Sequence, residues 1–248
     1  MKMKYIFFIT LLVFGLSSIA QPINQTDKDG KKTGKWQKVY GNGKIRYTGE
    51  FKADIPVGTF KYYDSDGRLV TEIMHKGDGH HSSCVMYSNE KITAKGFYYD
   101  QLKDSLWIYL NENTGMPVKE ERYKQGKKHG LWKVYYLSGM VYSITNYRND
   151  TLHGVWKEYL EDGLPRLLAQ YSFGELSGNY FQFNAQGDTI TAGKYVNGKR
   201  DGVWRHYEDN NTISRKEFIR MGWMYKEEIY KNGLLTETRR KGVNRSEN

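Results

Sequence analysis

Cysteine is almost missing from this 248-residue chain, with Cys84 alone. That excludes an internal disulfide framework and leaves stability to pairing and packing. Proline is scarce at 4 residues, and the apolar fraction is only 38%. Leu, Ile and Val are too sparse for a compact two-layer core. Beyond residue 20 no run is long and apolar enough for a spanning helix, which takes roughly 20 residues. What is plentiful is glycine, at 26, and aromatic side chains, with 21 Tyr, 10 Phe and 6 Trp. Glycine supplies left-handed turns and aromatics favour pleated surfaces, so the composition predicts many short strands joined by many turns.

The first twenty residues read as a secretory signal. Lys2 and Lys4 precede an uncharged apolar run from Tyr5 to Ile19, and Ser18-Ile19-Ala20 offers small residues for cleavage after Ala20. The run is short for a membrane span, which makes an uncleaved anchor the lesser alternative. No Cys lies near the cleavage point, which argues against lipoprotein processing. Export to the periplasm, cell surface or exterior is therefore expected. Removing residues 1–20 takes two of 38 basic residues and none of 28 acidic ones, leaving a net charge of +8. A basic protein outside the cytoplasm meets anionic lipid, anionic wall polymer or an acidic protein rather than nucleic acid. The charges are scattered, as expected where lysines keep a sheet soluble and blunt its edges.

The remainder is periodic. Gly-x-aromatic recurs at Gly34-Lys35-Trp36, Gly58-Thr59-Phe60, Gly130-Leu131-Trp132, Gly154-Val155-Trp156, Gly178-Asn179-Tyr180 and Gly202-Val203-Trp204, with a step of 24. The gap between Phe60 and Trp132 holds two degenerate copies, Ser82-Ser83-Cys84 and, with a one-residue slip, Ser105-Leu106-Trp107. Other columns keep the step. Gly43, Gly67, Gly139, Gly163, Gly187 and Asn211 follow the leading Gly by nine residues. A second aromatic column holds Phe51, Tyr99, Tyr123, Tyr147, Tyr171 and Tyr195, followed three residues later by a turn former such as Asp54, Asp150 or Gly198.

Each unit thus reads as strand, turn, strand, turn. Ile45, Tyr47, Gly49 and Phe51 alternate with Lys44, Arg46, Thr48 and Glu50, the period-two signature of a sheet with one wet face. Gly34, Gly58, Gly130, Gly154, Gly178 and Gly202 are assigned to turns, as in Asn197 to Gly202. One feature departs from simple alternation. The Trp column and the column three residues later, Val39, Tyr63, Tyr87, Tyr135, Tyr159, Phe183 and Tyr207, have opposite parity. Either the first strand carries aromatics on both faces or a bulge intervenes.

These columns resemble the MORN-repeat family in its bacterial variant, the kind found in YwqK-type antitoxin-like proteins. The best copies are Tyr123-Lys124-Gln125-Gly126-Lys127-Lys128-His129-Gly130-Leu131-Trp132 and Tyr195-Val196-Asn197-Gly198-Lys199-Arg200-Asp201-Gly202-Val203-Trp204, and the likeness runs from about Asp27 to Gly222. The resemblance implies an all-β fold: one elongated, curled, single-layer antiparallel sheet of about eight tandem hairpins. An export signal sits badly with the antitoxin label. At ~4.8 Å per strand the array extends on the order of 75 Å. The expected layout is a signal over 1–20, a short linker over 21–28, the repeat array over 29–235 and a polar tail over 236–248. Gly233 belongs to a partial ninth unit that caps the array.

The chemistry-bearing residues point away from catalysis. Cys84 with His80 and His81 lacks an orienting third group and falls in the aromatic column, where it packs as a small hydrophobe. His75, His80, His81 and Cys84 match no specific ligand spacing and read as a divergent copy. Glu120-Glu121 and Glu227-Glu228 are strand neighbours that point to opposite faces. No catalytic residue, metal site or cofactor is expected. What remains is a ladder of Trp36, Phe60, Trp107, Trp132, Trp156, Tyr180 and Trp204, about 10 Å apart by strand spacing. Its first role is structural, with a ligand-facing role open to it. The expected function is a non-catalytic exported scaffold or binding module for a protein partner. The alternative is a binder of anionic envelope lipid or wall polysaccharide.

Overall fold

The computed structural model describes residues 22–208 and 211–241. The segment read as a signal, 1–20, and residues 242–248 of the expected tail lie outside them. Strands follow one another along the chain: β1 (Gln25–Thr26), β2 (Lys32–Val39), β3 (Ile45–Lys52), β4 (Ile55–Tyr63), β5 (Leu69–His75), β6 (His81–Ser88), β7 (Lys91–Tyr99), β8 (Leu102–Leu110), β9 (Pro117–Lys124), β10 (Lys127–Lys128) and β11 (Gly130–Tyr135). The second half continues with β12 (Val141–Arg148), β13 (Thr151–Tyr159), β14 (Pro165–Ser172), β15 (Glu175–Leu176), β16 (Gly178–Phe183), β17 (Thr189–Val196), β18 (Lys199–Tyr207), β19 (Ile213–Arg220), β20 (Trp223–Lys231) and β21 (Leu234–Arg240). All belong to one 21-stranded sheet in which neighbours along the chain pair antiparallel. The short β10 and β15 act with β11 and β16, each couple serving as one strand against β9 or β14. The fold is the expected all-β, single-sheet array of hairpins.

Two kinds of reversal alternate. Between the strands of one repeat lie turns such as Tyr40–Lys44, where the Gly43 N–H donates to the Tyr40 carbonyl at 3.0 Å and the Tyr40 N–H to Lys44 at 2.8 Å. Between repeats lie two-residue turns with both φ positive: Ala53-Asp54 (50° and 67°), Asn149-Asp150 (49° and 65°), Asn197-Gly198 (49° and 73°). Positive φ at both centres matches the strand twist and explains the Asn, Asp and Gly found there. Successive two-residue turns are tied together. The Asp54, Asp150 and Gly198 N–H groups donate to the carbonyls of Lys32, Lys128 and Leu176, one repeat earlier. Each hairpin is thereby anchored on the one before it, the nearest-neighbour coupling of a solenoid.

The six leading glycines do not lie in those reversals, which corrects their assignment to turns. They sit inside or at the start of the following strand, with φ between 64° and 98°. Their place is a bulge. Tyr147 pairs with Leu152, but Thr145 pairs with Trp156, so β13 carries two extra residues around Gly154. The same step occurs at Gly58, at Gly202, and at Ser105, which adopts φ 58° where the other copies have glycine. At Gly130 and Gly178 the bulge divides the strand, giving β10 with β11 and β15 with β16.

The parity question resolves in favour of two decorated faces. β11 runs regularly from Trp132 to Tyr135, and the extra residue near the turn lies on β12, where Val134 pairs with Ser143 and Tyr135 with Val141. Trp132 and Tyr135 therefore face opposite sides. The Tyr87 hydroxyl accordingly donates to Glu72 at 2.8 Å, across from the tryptophans. At the ends, β1 adds a two-residue strand within the 21–28 linker. The β20–β21 hairpin, turning at Asn232-Gly233, forms the ninth unit and carries pairing into the expected tail as far as Arg240.

Candidate functional site

The tryptophan face is built by the bulges. Two extra residues lift the aromatic side chain off its own strand and lay it over the second strand of the preceding repeat. Phe60 lies over Gly49, Trp107 over Gly96 and Trp204 over Gly193, where an added Cβ would come closer than 3.0 Å to ring atoms. The floor is left open by the absence of a side chain. The indole Nε1 of Trp107 then donates to the Phe97 carbonyl at 2.9 Å, Trp132 to Arg122 at 3.0 Å and Trp204 to Lys194 at 3.1 Å. These bonds serve carbonyls beside the bulge, where the ladder of backbone bonds is interrupted.

The two aromatic columns interleave into one ladder. Trp36, Phe51 and Phe60 meet edge to face at 5.8 and 5.1 Å. Tyr123, Trp132 and Tyr147 follow at 5.5 and 5.0 Å, Trp156 meets Tyr171 at 5.7 Å, and Tyr180, Tyr195 and Trp204 close at 5.6 and 5.1 Å. Tyr99 does not hold the rung assigned to it. The one-residue slip has already occurred, so Tyr98 pairs with Lys103 as Phe51 pairs with Pro56, and its ring meets Trp107 at 5.0 Å. Tyr99 packs instead on His80 and His81 at 5.8 and 4.9 Å.

The rings are covered as well as stacked. Lys32, Lys103 and Lys128 place their ammonium groups 5.1, 4.5 and 4.5 Å from the rings of Trp36, Trp107 and Trp132, and the Arg200 guanidinium lies 4.0 Å from Trp204. Each cation stands four residues before its tryptophan, a spacing that the sequence displays in four copies but that only the bulge gives a meaning. Phe60, Trp107 and Trp204 are buried, and Trp36, Trp132, Trp156 and Tyr180 are half-buried. The ladder is the core of the array.

Two carboxylates are buried among these rings. Glu121 is 3% exposed and meets Lys119 Nζ at 2.6 Å and the Tyr123 hydroxyl at 2.7 Å. Burial works to raise its pKa, but Lys119, Tyr123 and Tyr109 outweigh it and the group is held below the usual carboxylate range. Burial first, and Glu121 second, push the Tyr109 and Tyr123 phenols well up. Glu217 is 7% exposed and bonds to Arg200, with His206 at 3.4 Å and Arg215 at 3.3 Å. Burial is again outweighed, here by Arg200 and His206, and its pKa is lowered. Burial and the Arg215 charge lower that of His206. Both carboxylates are thus ionised and matched by their own cations. Glu120 and Glu228 point to the opposite face, toward Lys133 at 3.5 Å and Lys226 at 2.6 Å.

The divergent third copy disperses its candidate ligands. His75 lies edge-on to Phe60 at 5.1 Å, His80 Nδ1 meets Asp100 at 2.5 Å, His81 Nδ1 meets Asp78 at 2.7 Å, and Cys84 is buried. His80 occupies the turn-anchor column, its carbonyl accepting the Asp100 N–H at 3.0 Å. Burial raises the Cys84 thiol above its ordinary value. Among the described residues no group of three or more His, Cys, Asp or Glu could hold a metal ion.

Comparison with known families places two segments, residues 32–53 and 128–149, in the MORN repeat variant. Both begin on the cation that covers a tryptophan four residues later, Lys32 and Lys128, and both end in the two-residue turn after the second strand. None of the curated proteins compared with the chain matches it. The chain therefore carries the MORN repeat variant twice, at one and the same phase of its own 24-residue period.

Proposed function

We propose that the chain is a non-catalytic, exported interaction scaffold that takes a protein partner along the face opposite the ladder. The observation that supports this most is a row of directly paired residues crossing the back of the sheet from β7 to β19. From Lys95 it runs through Ile108, Glu120, Lys133, Ile144, Lys157, Leu168, Phe181, Ala192 and Arg205 to Lys216 without interruption. It holds five cations, one acid (Glu120, paired with Lys133) and five half-buried apolar side chains, three of them consecutive at Leu168, Phe181 and Ala192. A polypeptide with acidic groups spaced among apolar ones would meet both, the attraction steering encounter and the apolar contact holding the complex. MORN repeats elsewhere in the same chain are consistent with a repeat-based binding module. The non-catalytic reading is supported by the two buried carboxylates, each engaged by its own cations and hydrogen-bond donors rather than left free toward a substrate.

Export is inferred from Lys2 and Lys4 followed by the apolar run from Tyr5 to Ile19, and an antitoxin role in the cytoplasm fits that poorly. A second reading, binding of anionic envelope lipid or wall polymer, is favoured by the +8 charge left after the leader is removed. Affinity capture from the native envelope with the mature chain, compared with a Lys133→Glu/Lys157→Glu double variant, tests both. The scaffold reading expects a discrete protein that the double variant loses. Retention on lipid vesicles or wall polymer that falls steeply with salt, with no protein captured, supports the second reading instead. A partner captured equally by both chains overturns the assignment to this face.

A further inference from the structure

The ladder has one missing rung. At other copies along the array a bulge lifts an aromatic ring over the preceding strand. Between β5 and β6 there is none: pairing runs unbroken from Thr71–Met86 to His75–Ser82. Ser82 therefore needs no left-handed glycine, and Cys84 stands in regular pairing between Ile73 and Gly96. This copy lacks the glycine, the bulge and the aromatic together, whereas Ser105 replaces the glycine with the bulge and Trp107 retained. Ring-to-ring contact accordingly runs from Phe51 through Phe60 to His75, stops, and resumes at Tyr98 with Trp107.

In the interval lies a cavity of about 390 Å³, whose walls include Phe60, Tyr62, Ile73, His75, Ser82 and Tyr98. Its size falls in the range of small-ligand sites, roughly 300–1,000 Å³. The lining is mostly apolar, with polar groups at two points. Neither the His75 imidazole nor the Ser82 hydroxyl makes a hydrogen bond within the described residues, although Ser82 is 8% exposed. Both polar groups line the cavity without a hydrogen-bond partner in the protein, so they are open to a ligand's donor or acceptor. At the rim, Gln101 and His80 offer polar contacts of the kind a peptide backbone takes.

We infer that this cavity receives the aromatic side chain of a partner polypeptide, a Trp or Tyr whose ring supplies the missing rung and whose polar edge bonds His75 or Ser82. The lining rings point to the class: the cavity is flanked by Phe60 and His75 on one side and Tyr98 on the other, and faces and edges of aromatic rings favour a planar ring over an aliphatic chain. The polar groups favour indole or phenol over phenyl. The inference deepens the scaffold reading by naming an anchor on the ladder face, distinct from the back row.

The probe is the peptide N-acetyl-Gly-(5-fluoro-Trp)-Gly-amide, followed by fluorine NMR against the mature chain. Phe and Leu analogues and the disaccharide cellobiose serve as competitors. The expected order is Trp and Tyr, then Phe, with Leu and cellobiose failing to compete. Ile73→Trp fills the cavity from its floor and should weaken the probe about tenfold or more, the loss of about 1.4 kcal/mol. His75→Phe keeps the ring against Phe60 but removes the polar edge, and should erase the preference of Trp over Phe. It decides the matter if I73W proves unstable in a thermal melt. Unchanged probe binding in a folded I73W overturns the inference. So does Leu competing as well as Trp, or cellobiose displacing the peptide. A protein partner lost in the back-row double variant but retained by I73W and H75F would leave the scaffold reading standing and remove this one.

Discussion

Single glycines in this array do two unlike jobs, and substitutions separate them. Gly193 has ordinary strand geometry but lies beneath Trp204, with no room for a Cβ. Gly202 has open space around its Cα but φ 74°. Gly193→Ala should therefore destabilise by overpacking, about 1–3 kcal/mol. Gly202→Ala should destabilise through its left-handed backbone, about 1–2 kcal/mol. The discriminating substitution is Asn, which tolerates the left-handed region. Gly202→Asn should recover most of the loss seen with Ala, whereas Gly193→Asn should be worse than Ala in urea melts. The buried carboxylates make a pH prediction at the same scale. Because the folded-state pKa of Glu121 lies below its unfolded value, its contribution is present above the ordinary glutamate value of about 4.3 and is lost as pH falls through the folded value. The melting temperature of the wild type should exceed that of Glu121→Gln at pH 7, and the two curves should converge as the solution is acidified. Parallel curves down to pH 2 would show that Glu121 is not held ionised by Lys119 and its tyrosines.

At the scale of the element, the unit of construction is 24 residues, and deletion shows it. Removing Gly130 to His153 joins bulge to bulge and should leave a folded, shorter array with unchanged strand content by circular dichroism. Removing 12 residues instead pairs a first strand with a first strand, misplaces every ring, and should abolish cooperative melting. The hairpins were legible in the sequence because several columns share one step. What the sequence hid was where on the hairpin the glycines act. A Gly at positive φ reads the same in a turn or in a bulge, so Gly34 to Gly202 were placed in reversals that Ala53-Asp54 and Asn197-Gly198 in fact make. The bulge also concealed two further columns. The cation four before Trp36, Trp107, Trp132 and Trp204 looks like scattered surface charge until two extra residues bring Lys32, Lys103, Lys128 and Arg200 over the indoles. The residue beneath the ring is glycine at Gly49, Gly96 and Gly193, but the same column also holds Ile73, Glu121, Thr145 and Ala169, so no single residue type marks it in the sequence. Tyr98 was missed in favour of Tyr99 for a simpler reason: a one-residue slip within the β6–β7 hairpin moves the rung, and a fixed period cannot follow it.

Over the whole molecule the same features set where the array is weakest. Interior strands pair on both sides, so opening one requires breaking two interfaces; an end strand breaks one. β21 is exposed at every residue, and β1 covers only two residues of β2. The third copy adds an internal weak joint, since at β5–β6 no bulge lays a ring over the preceding strand and Cys84 stands in regular pairing where other copies carry an aromatic. Amide hydrogen exchange should therefore show protection rising inward from both ends, with a second minimum at β5–β6 rather than a single plateau. Filling the joint with I73W should raise protection at β5–β6 while leaving β17–β19 unchanged, because each hairpin senses only its neighbours. One uniform exchange rate across all strands, shifted everywhere by that substitution, would mean that the sheet opens as a single body and that its stability is not built repeat by repeat.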